Sequence, residues 1–332
     1  MNILLFLKNL QGRGVSKVYL NLAKALKKFG HNPIIVLREN IIEFEIPDID
    51  IFIFDKNTTL ATDNLIKERN IDFIISNNVS YLEKIKNLDK NRIFYTVHML
   101  WSKRIFKNLR LKKLFQLKKE YKDKNIIAVS NAVKNDLLNK IRIKPKKIEV
   151  IYDIFDFEEI EQKSKEFEIN NKYILHVGAF SKEKNHKLLL DLYSKLDTDL
   201  ELWLIGKGKL EKKIKEYAKK LKIDKKVKFL GFKKNPYPYI RNAKILLITS
   251  TDEALPGTAI ESLYLNTPVI STDNGGIREI LDSKYISNDK TTLIKLINET
   301  INKPYKIDKN QIKSKFGFDI IQQYERIWSK YE

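Results

Sequence analysis

No cysteine occurs in the 332 residues. Disulfides, thiol chemistry and cysteine-bound zinc are therefore excluded, and the chain suits a cytoplasm. Histidine is scarce too, with four in all; His176 and His186 lack the partner spacing of a metal site. No apolar run approaches the roughly 20 residues of a membrane-spanning helix. The opening run Met1 to Leu7 is short and has neither a basic leader nor a cleavage site, so it reads as a buried first strand rather than a signal peptide. Short-period repeats and low-complexity linkers are absent. Acidic residues are outnumbered: 63 Lys and Arg stand against 42 Asp and Glu, a net charge of +21. Such a surface attracts nucleotide phosphates, nucleic acid or acidic lipid. Arginine is rare beside lysine, and Ile and Asn are abundant, so part of the excess reflects codon usage.

The apolar fraction, 43%, is that of an ordinary globular protein, and the length predicts two domains. Strand-like runs at Ile3–Leu7, Pro33–Leu37, Ile51–Phe54, Phe73–Ser76, Arg92–Val97 and Ile126–Val129 alternate with helical patterns in the first half. The first of these, the turn Asn9–Lys17, a helix from Val18 to Phe29 and the second strand form a βαβ unit. Its turn carries Gly12 and Gly14 but has Lys17 where a dinucleotide fingerprint needs a third glycine, and it lacks the ending of a Walker A loop. A strand also ends in His98, which by itself reads as a polar residue capping a strand. Between Ser102 and Lys124, Lys103, Arg104, Lys107, Arg110, Lys112 and Lys113 open a basic run interleaved with Ile105, Leu109, Leu111, Leu114 and Phe115. It is either a solvated face or an amphipathic surface for anionic lipid. In the second half, strands are expected at Tyr173–Gly178, Leu202–Gly206, Val227–Phe232 and Ile245–Ile248. The stretch Thr251–Leu263 follows the last of these as polar loop, Pro256-Gly257 breaker and helix start, the arrangement with which an open α/β sheet meets its ligand. Helix amides near Gly257, Thr258 and Ala259 suit a phosphate. Glu253 and Glu261 would lie about 80° apart on one helix, so they share a ligand only with Glu253 on the loop and Glu261 on the helix. A final helix is expected over Gln311–Tyr331, weakened by Gly317.

Glu253 to Glu261, with Thr267-Pro268-Val269-Ile270 and Gly275-Gly276-Ile277-Arg278-Glu279, resembles the E-x7-E region of the retaining GT-B glycosyltransferases of family 4. The resemblance implies two doubly wound, Rossmann-like α/β domains facing across a cleft: residues 1–157 on the acceptor side, 158–312 holding the nucleotide sugar, and 313–332 crossing back to the first domain. It implies that Glu253 holds sugar hydroxyls and Glu261 the ribose, and that His98 serves the sugar from the first domain. Gly12 and Gly14 match the loop nearing donor and acceptor. Lys184, with Lys182, Pro256, Gly257, Thr258, Ala259 and Arg278 around it, would meet the diphosphate. Phe232 and Lys233 would meet the base, core packing being the other reading of Phe232. The loop after Tyr173–Gly178 departs from the family: Ala179 stands where an arginine is usual, and lysine cannot reproduce a bidentate guanidinium. Asp153 replaces a frequent asparagine. The implied activity is retaining transfer of a hexose or N-acetylhexosamine, from a UDP-sugar by preference, to a glycan or lipid-linked saccharide in cell-surface polysaccharide synthesis. The implied setting is cytoplasmic, peripheral on the inner membrane face. Neither metal cofactor nor nucleic-acid partner is expected. A GT-B-fold epimerase or phosphorylase, and a non-catalytic basic binding protein, stay open as alternatives.

Overall fold

The computed structural model describes residues 1–12, 14–46, 48–54, 58–83, 85–106 and 110–331. The chain divides into two compact units, Met1–Phe155 with Lys315–Glu332, and Asp156–Ser314.

The first unit holds β1 (Asn2–Leu7), α1 (Gly14–Lys28), β2 (Asn32–Leu37), β3 (Asp50–Ile53), α2 (Thr58–Glu68), β4 (Phe73–Ser76) and β5 (Ile93–Val97). There follow α3 (Trp101–Phe106), α4 (Leu111–Glu120), β6 (Asn125–Ala128), α5 (Asn131–Asn135) and β7 (Lys147–Val150). All seven strands are parallel, in the order β3-β2-β1-β4-β5-β6-β7. A parallel sheet is covered on both faces, which is why β1, β2 and β4 are continuous apolar runs rather than alternating ones. Helix α1 begins at Gly14, four residues before the apolar periodicity suggests, and buries Tyr19, Leu22, Ala23 and Leu26 against the sheet.

The second unit holds α6 (Phe157–Lys163), β8 (Tyr173–Val177), α7 (His186–Tyr193), β9 (Glu201–Ile205), α8 (Glu211–Lys220) and β10 (Val227–Gly231). It continues with α9 (Tyr237–Asn242), β11 (Ile245–Ile248), α10 (Gly257–Tyr264), β12 (Val269–Ser271), α11 (Lys290–Asn302) and most of α12 (Lys309–Phe316), whose last two residues belong to the first unit. Its five strands are parallel in the order β10-β9-β8-β11-β12. Leu189, Leu190, Leu202, Leu204 and Leu247 are among the residues that fill its core.

The single terminal helix expected over 311–331 is two helices. Gly317 is extended (φ −83°, ψ −169°), a 3₁₀ turn spans Phe318–Ile320, and α13 (Ile321–Trp328) follows. Glycine costs a helix about 1 kcal/mol relative to alanine, and here the helix ends before it at Phe316. Ile320, Ile321, Tyr324 and Trp328 enter the core of the first unit, where Trp328 stacks on Phe73 at 5.3 Å.

Candidate donor and acceptor site

Each unit's strand order reverses direction at one place, between β1 and β4 in the first and between β8 and β11 in the second. Loops leaving the carboxyl ends of the two central strands diverge there and leave a crevice between them. In the second unit these loops are 178–185 and 249–256. They bring Lys184 and Glu253 together: Lys184 Nζ donates to Glu253 Oε1 at 2.5 Å, and Ser250 Oγ donates to the same oxygen at 2.7 Å. Both contacts fall on Oε1.

The Glu253 backbone is held from the next loop. Its N–H donates to Asn274 O at 2.9 Å, and its carbonyl accepts from Gly276 N at 3.0 Å. A Cβ at Gly276 would lie 2.1 Å from Ala254 O. No side chain fits there, and Gly275 beside it takes φ +101°, a conformation that favours glycine. Helix α10 then opens at Gly257 after buried Pro256, with no side-chain cap on its first turn. The Ala259 amide turns back to Pro256 O at 3.0 Å, so the amides of Gly257 and Thr258 are the ones that lead the helix. Glu261 sits one turn into α10, and its Oε1 accepts from Tyr237 Oη at 3.1 Å.

Other residues of this region stand as follows. Arg278 forms a two-pronged pair with Asp273, Nε to Oδ1 at 3.0 Å and Nη2 to Oδ2 at 2.7 Å, and that hydrogen bond raises its pKa further. Lys182 is exposed on the same loop as Lys184. Phe232 is 51% exposed, just past β10, and is not a core residue. The Lys233 ammonium lies 5.6 Å from the Tyr239 ring centroid. His176 and His186 are buried: His176 Nδ1–H donates to Leu247 O at 2.8 Å, and the two rings meet edge-on at 4.6 Å. Burial pushes His176 down to about 4 and His186 to about 2, with the Lys184 charge adding to both shifts.

In the first unit, Gly12 takes φ +73° and donates its N–H to Glu43 Oε2 at 2.9 Å, and Gly14 is the first residue of α1. His98 follows β5, and both ring nitrogens are engaged. Nδ1 lies 3.2 Å from Asp153 Oδ1 and Nε2 lies 3.0 Å from Thr96 Oγ1, which meets Tyr19 Oη at 2.7 Å. Burial raises the Tyr19 hydroxyl well above its ordinary range, so it stays protonated and available as a donor. The expected role of the His98 ring is narrowed accordingly, since each nitrogen already has a partner on its own unit. Asp153, Thr96, Ser250 and Tyr237 were not foreseen as partners. Only Asp153 carried a signal in the sequence, as a carboxylate where an amide is usual.

The basic run is split between α3 and α4. Lys103, Arg104, Arg110 and Lys112 are exposed and Lys113 half-buried; Lys107 lies outside the described residues. Exposed apolar side chains accompany them: Phe106 at 48%, Leu111 at 57% and Phe115 at 69%. Among the described residues no helix is long and apolar enough to cross a membrane, and no three His, Asp or Glu are grouped to hold a metal ion.

Two families match this chain. Residues 12–159 match Glycosyltransferase Family 4, and residues 156–315 match Glycosyl transferases group 1. A protein of Campylobacter jejuni named N-acetylgalactosamine-N,N'-diacetylbacillosaminyl-diphospho-undecaprenol 4-alpha-N-acetylgalactosaminyltransferase is 29% identical over 302 residues, 83% of this chain and 82% of its own. The capsular polysaccharide biosynthesis glycosyltransferase CapH of Staphylococcus aureus is 28% identical over 71% of this chain and 68% of its own. Among solved structures, Anabaena Alr3699/HepE in complex with UDP and glucose superposes with a TM-score of 0.79 at 16% identity, covering 99% of this chain and 100% of that one. With Glu253 on a loop, Glu261 on the helix after it and two parallel sheets of GT-B type, the chain belongs to the family 4 glycosyltransferases, enzymes of polysaccharide and glycoconjugate synthesis.

Proposed function

We propose that this chain moves a hexose or N-acetylhexosamine from a nucleotide sugar, a UDP-sugar by preference, to a glycan or lipid-linked saccharide, with retention of configuration and without a metal. The observation that carries this is the placing of Glu253 and Glu261 on either side of the leading amides of α10, with Lys184 on Glu253. A nucleotide sugar has hydroxyls at both ends and a diphosphate between them, and carboxylate, amides and carboxylate follow in that order. The sugar hydroxyls go to Glu253, the ribose to Glu261, and the diphosphate to the amides of Gly257 and Thr258 and to Lys184, with Lys182 beside it. The bond from the anomeric carbon to the diphosphate oxygen breaks as the acceptor oxygen bonds that carbon from the same face. The acceptor proton passes to the departing phosphate oxygen. The HepE complex with UDP and glucose supports the donor class, and the lipid-diphosphate acceptor in the Campylobacter protein's name supports the acceptor class. Phe106, Leu111 and Phe115, ringed by lysine and arginine, suit docking on an anionic bilayer.

The test is a thermal-shift screen with UDP, GDP, ADP, CMP and their sugars, with and without EDTA, on wild type and Glu261→Ala. Stabilisation by one nucleotide class, insensitive to EDTA and lost in the variant, is expected. Stabilisation by none overturns the proposal. Product NMR then reads the anomeric configuration, and inversion overturns retention.

A further inference from the structure

Tyr237 holds the second carboxylate of the site. The hydroxyl donates to Glu261 Oε1 at 3.1 Å, across 24 positions of sequence. Its ring is 7% exposed and rigid, with two side-chain torsions against the several of a lysine or glutamine. The residue is also tied from behind. The Tyr237 N–H donates to Asn235 Oδ1 at 3.0 Å, and Asn235 Nδ2 donates to Lys163 O and to Glu166 Oε2, both at 2.8 Å. The helix it opens, α9, is anchored by Thr267 Oγ1 donating to Ile240 O at 2.6 Å. Asn235-Pro236-Tyr237-Pro238 is thus a strut running from the end of α6 to Glu261. Pro238, at the second position of α9, costs no intrahelical hydrogen bond.

A carboxylate on an α-helix has free torsions, whereas a vicinal diol demands one orientation: each hydroxyl must find an oxygen. We infer that Tyr237 is a positioning residue that fixes the Glu261 carboxylate for the ribose 2′- and 3′-hydroxyls, and so sets the preference for a ribonucleotide over its deoxy counterpart. The inference rests on the donor-site reading above. Tyr237 touches Glu261 and is assigned no contact with the reacting atoms.

Calorimetric titration tests it, using whichever of UDP, GDP and ADP binds most tightly, together with its 2′-deoxy form, on wild type, Tyr237→Phe and Glu261→Ala. A hydroxyl donating to a charged group gives wild type a preference of roughly tenfold or more for the ribonucleotide. Tyr237→Phe, which removes one oxygen and keeps the ring, is expected to cut that ratio to about a third, weakening the ribonucleotide more than the 2′-deoxy form, which keeps one hydroxyl of the diol; Glu261→Ala abolishes the ratio. If Tyr237→Phe keeps the full ratio, or weakens both ligands equally as general loosening would, the inference fails while the donor site stands. If wild type binds no nucleotide, or Glu261→Ala keeps the ratio, the donor-site reading fails and takes the inference with it.

Discussion

Lys184 and Glu253 are largely shielded from water, with side-chain exposures of 27% and 16%. Taking away one member of such a pair leaves the other charge uncompensated, a larger effect than at an exposed pair. Lys184→Met is therefore expected to lower kcat/KM for the donor by roughly two orders of magnitude, in the range seen when a stabiliser of developing charge is removed. Initial rates with the nucleotide sugar chosen by the thermal screen check this; a change under threefold would take Lys184 out of the donor chemistry. Gly276→Ala is expected to destabilise the fold by about 1–3 kcal/mol, because its Cβ would meet backbone at Ala254 rather than a side chain that can swing away. Urea titration measures it. At this scale Glu253 and Glu261 stood out by type and spacing as candidates, whereas Lys184 and the missing arginine at Ala179 were visible only through the family resemblance. Their hydrogen-bond partners were not. Ser250 and Tyr237 are ordinary in sequence.

Helices α3 and α4 raise a different question, since their residues are amphipathic but three of the largest apolar ones face water. Leu117 is buried against the unit while Leu111 and Phe115 are exposed. A solvated face has no need of a phenylalanine that is 69% exposed among lysines. Leu111→Ser with Phe115→Ser is expected to reduce sedimentation with anionic vesicles by about tenfold and to leave donor binding unchanged; equal sedimentation would return this segment to the solvated-face reading. Strand positions were readable because parallel strands are apolar on both faces, so even four-residue runs such as Phe73–Ser76 stood out. Helix ends were less readable. Helix α1 starts in the glycine turn itself, and Gly317 breaks the terminal helix where a propensity argument foresees only weakening.

For the molecule as a whole, the buried pair His176 and His186 links stability to pH. Both pKa values fall below the ordinary 6.5, to about 4 and about 2, so between pH 6.5 and 4 the unfolded chain binds protons that the folded one refuses. Stability is then full above pH 6.5 and is lost as pH falls below it. Urea unfolding of the second unit at pH 7 and pH 5, followed through Trp203, is expected to show this slope, and His186→Phe to reduce it by about half; a flat profile would mean the rings are solvated. The terminal segment belongs to the first unit's core, where Trp328 and Ile321 are fully buried. Ending the chain at Ser314 removes them, and several large core residues at about 2–5 kcal/mol each exceed the stability of a typical domain. Loss of soluble protein is expected, and soluble, cooperatively unfolding protein would contradict that packing.

Sequence alone determined the class of this protein. Parallel strands bury both faces and so write themselves as apolar runs. Two glutamates, a proline-glycine break and a glycine pair are local features that stand next to one another in the chain and so can be read along it. What only the tertiary structure decided is pairing. Strand order sets which elements lie side by side, and so Lys184 after β8 meets Glu253 after β11 at the switch point, His98 after β5 meets Asp153 after β7, and Tyr237 of α9 meets Glu261 of α10. Each contact joins side chains that lie dozens of residues apart, and the few-ångström range of a hydrogen bond leaves no trace of such a meeting in the order of the chain.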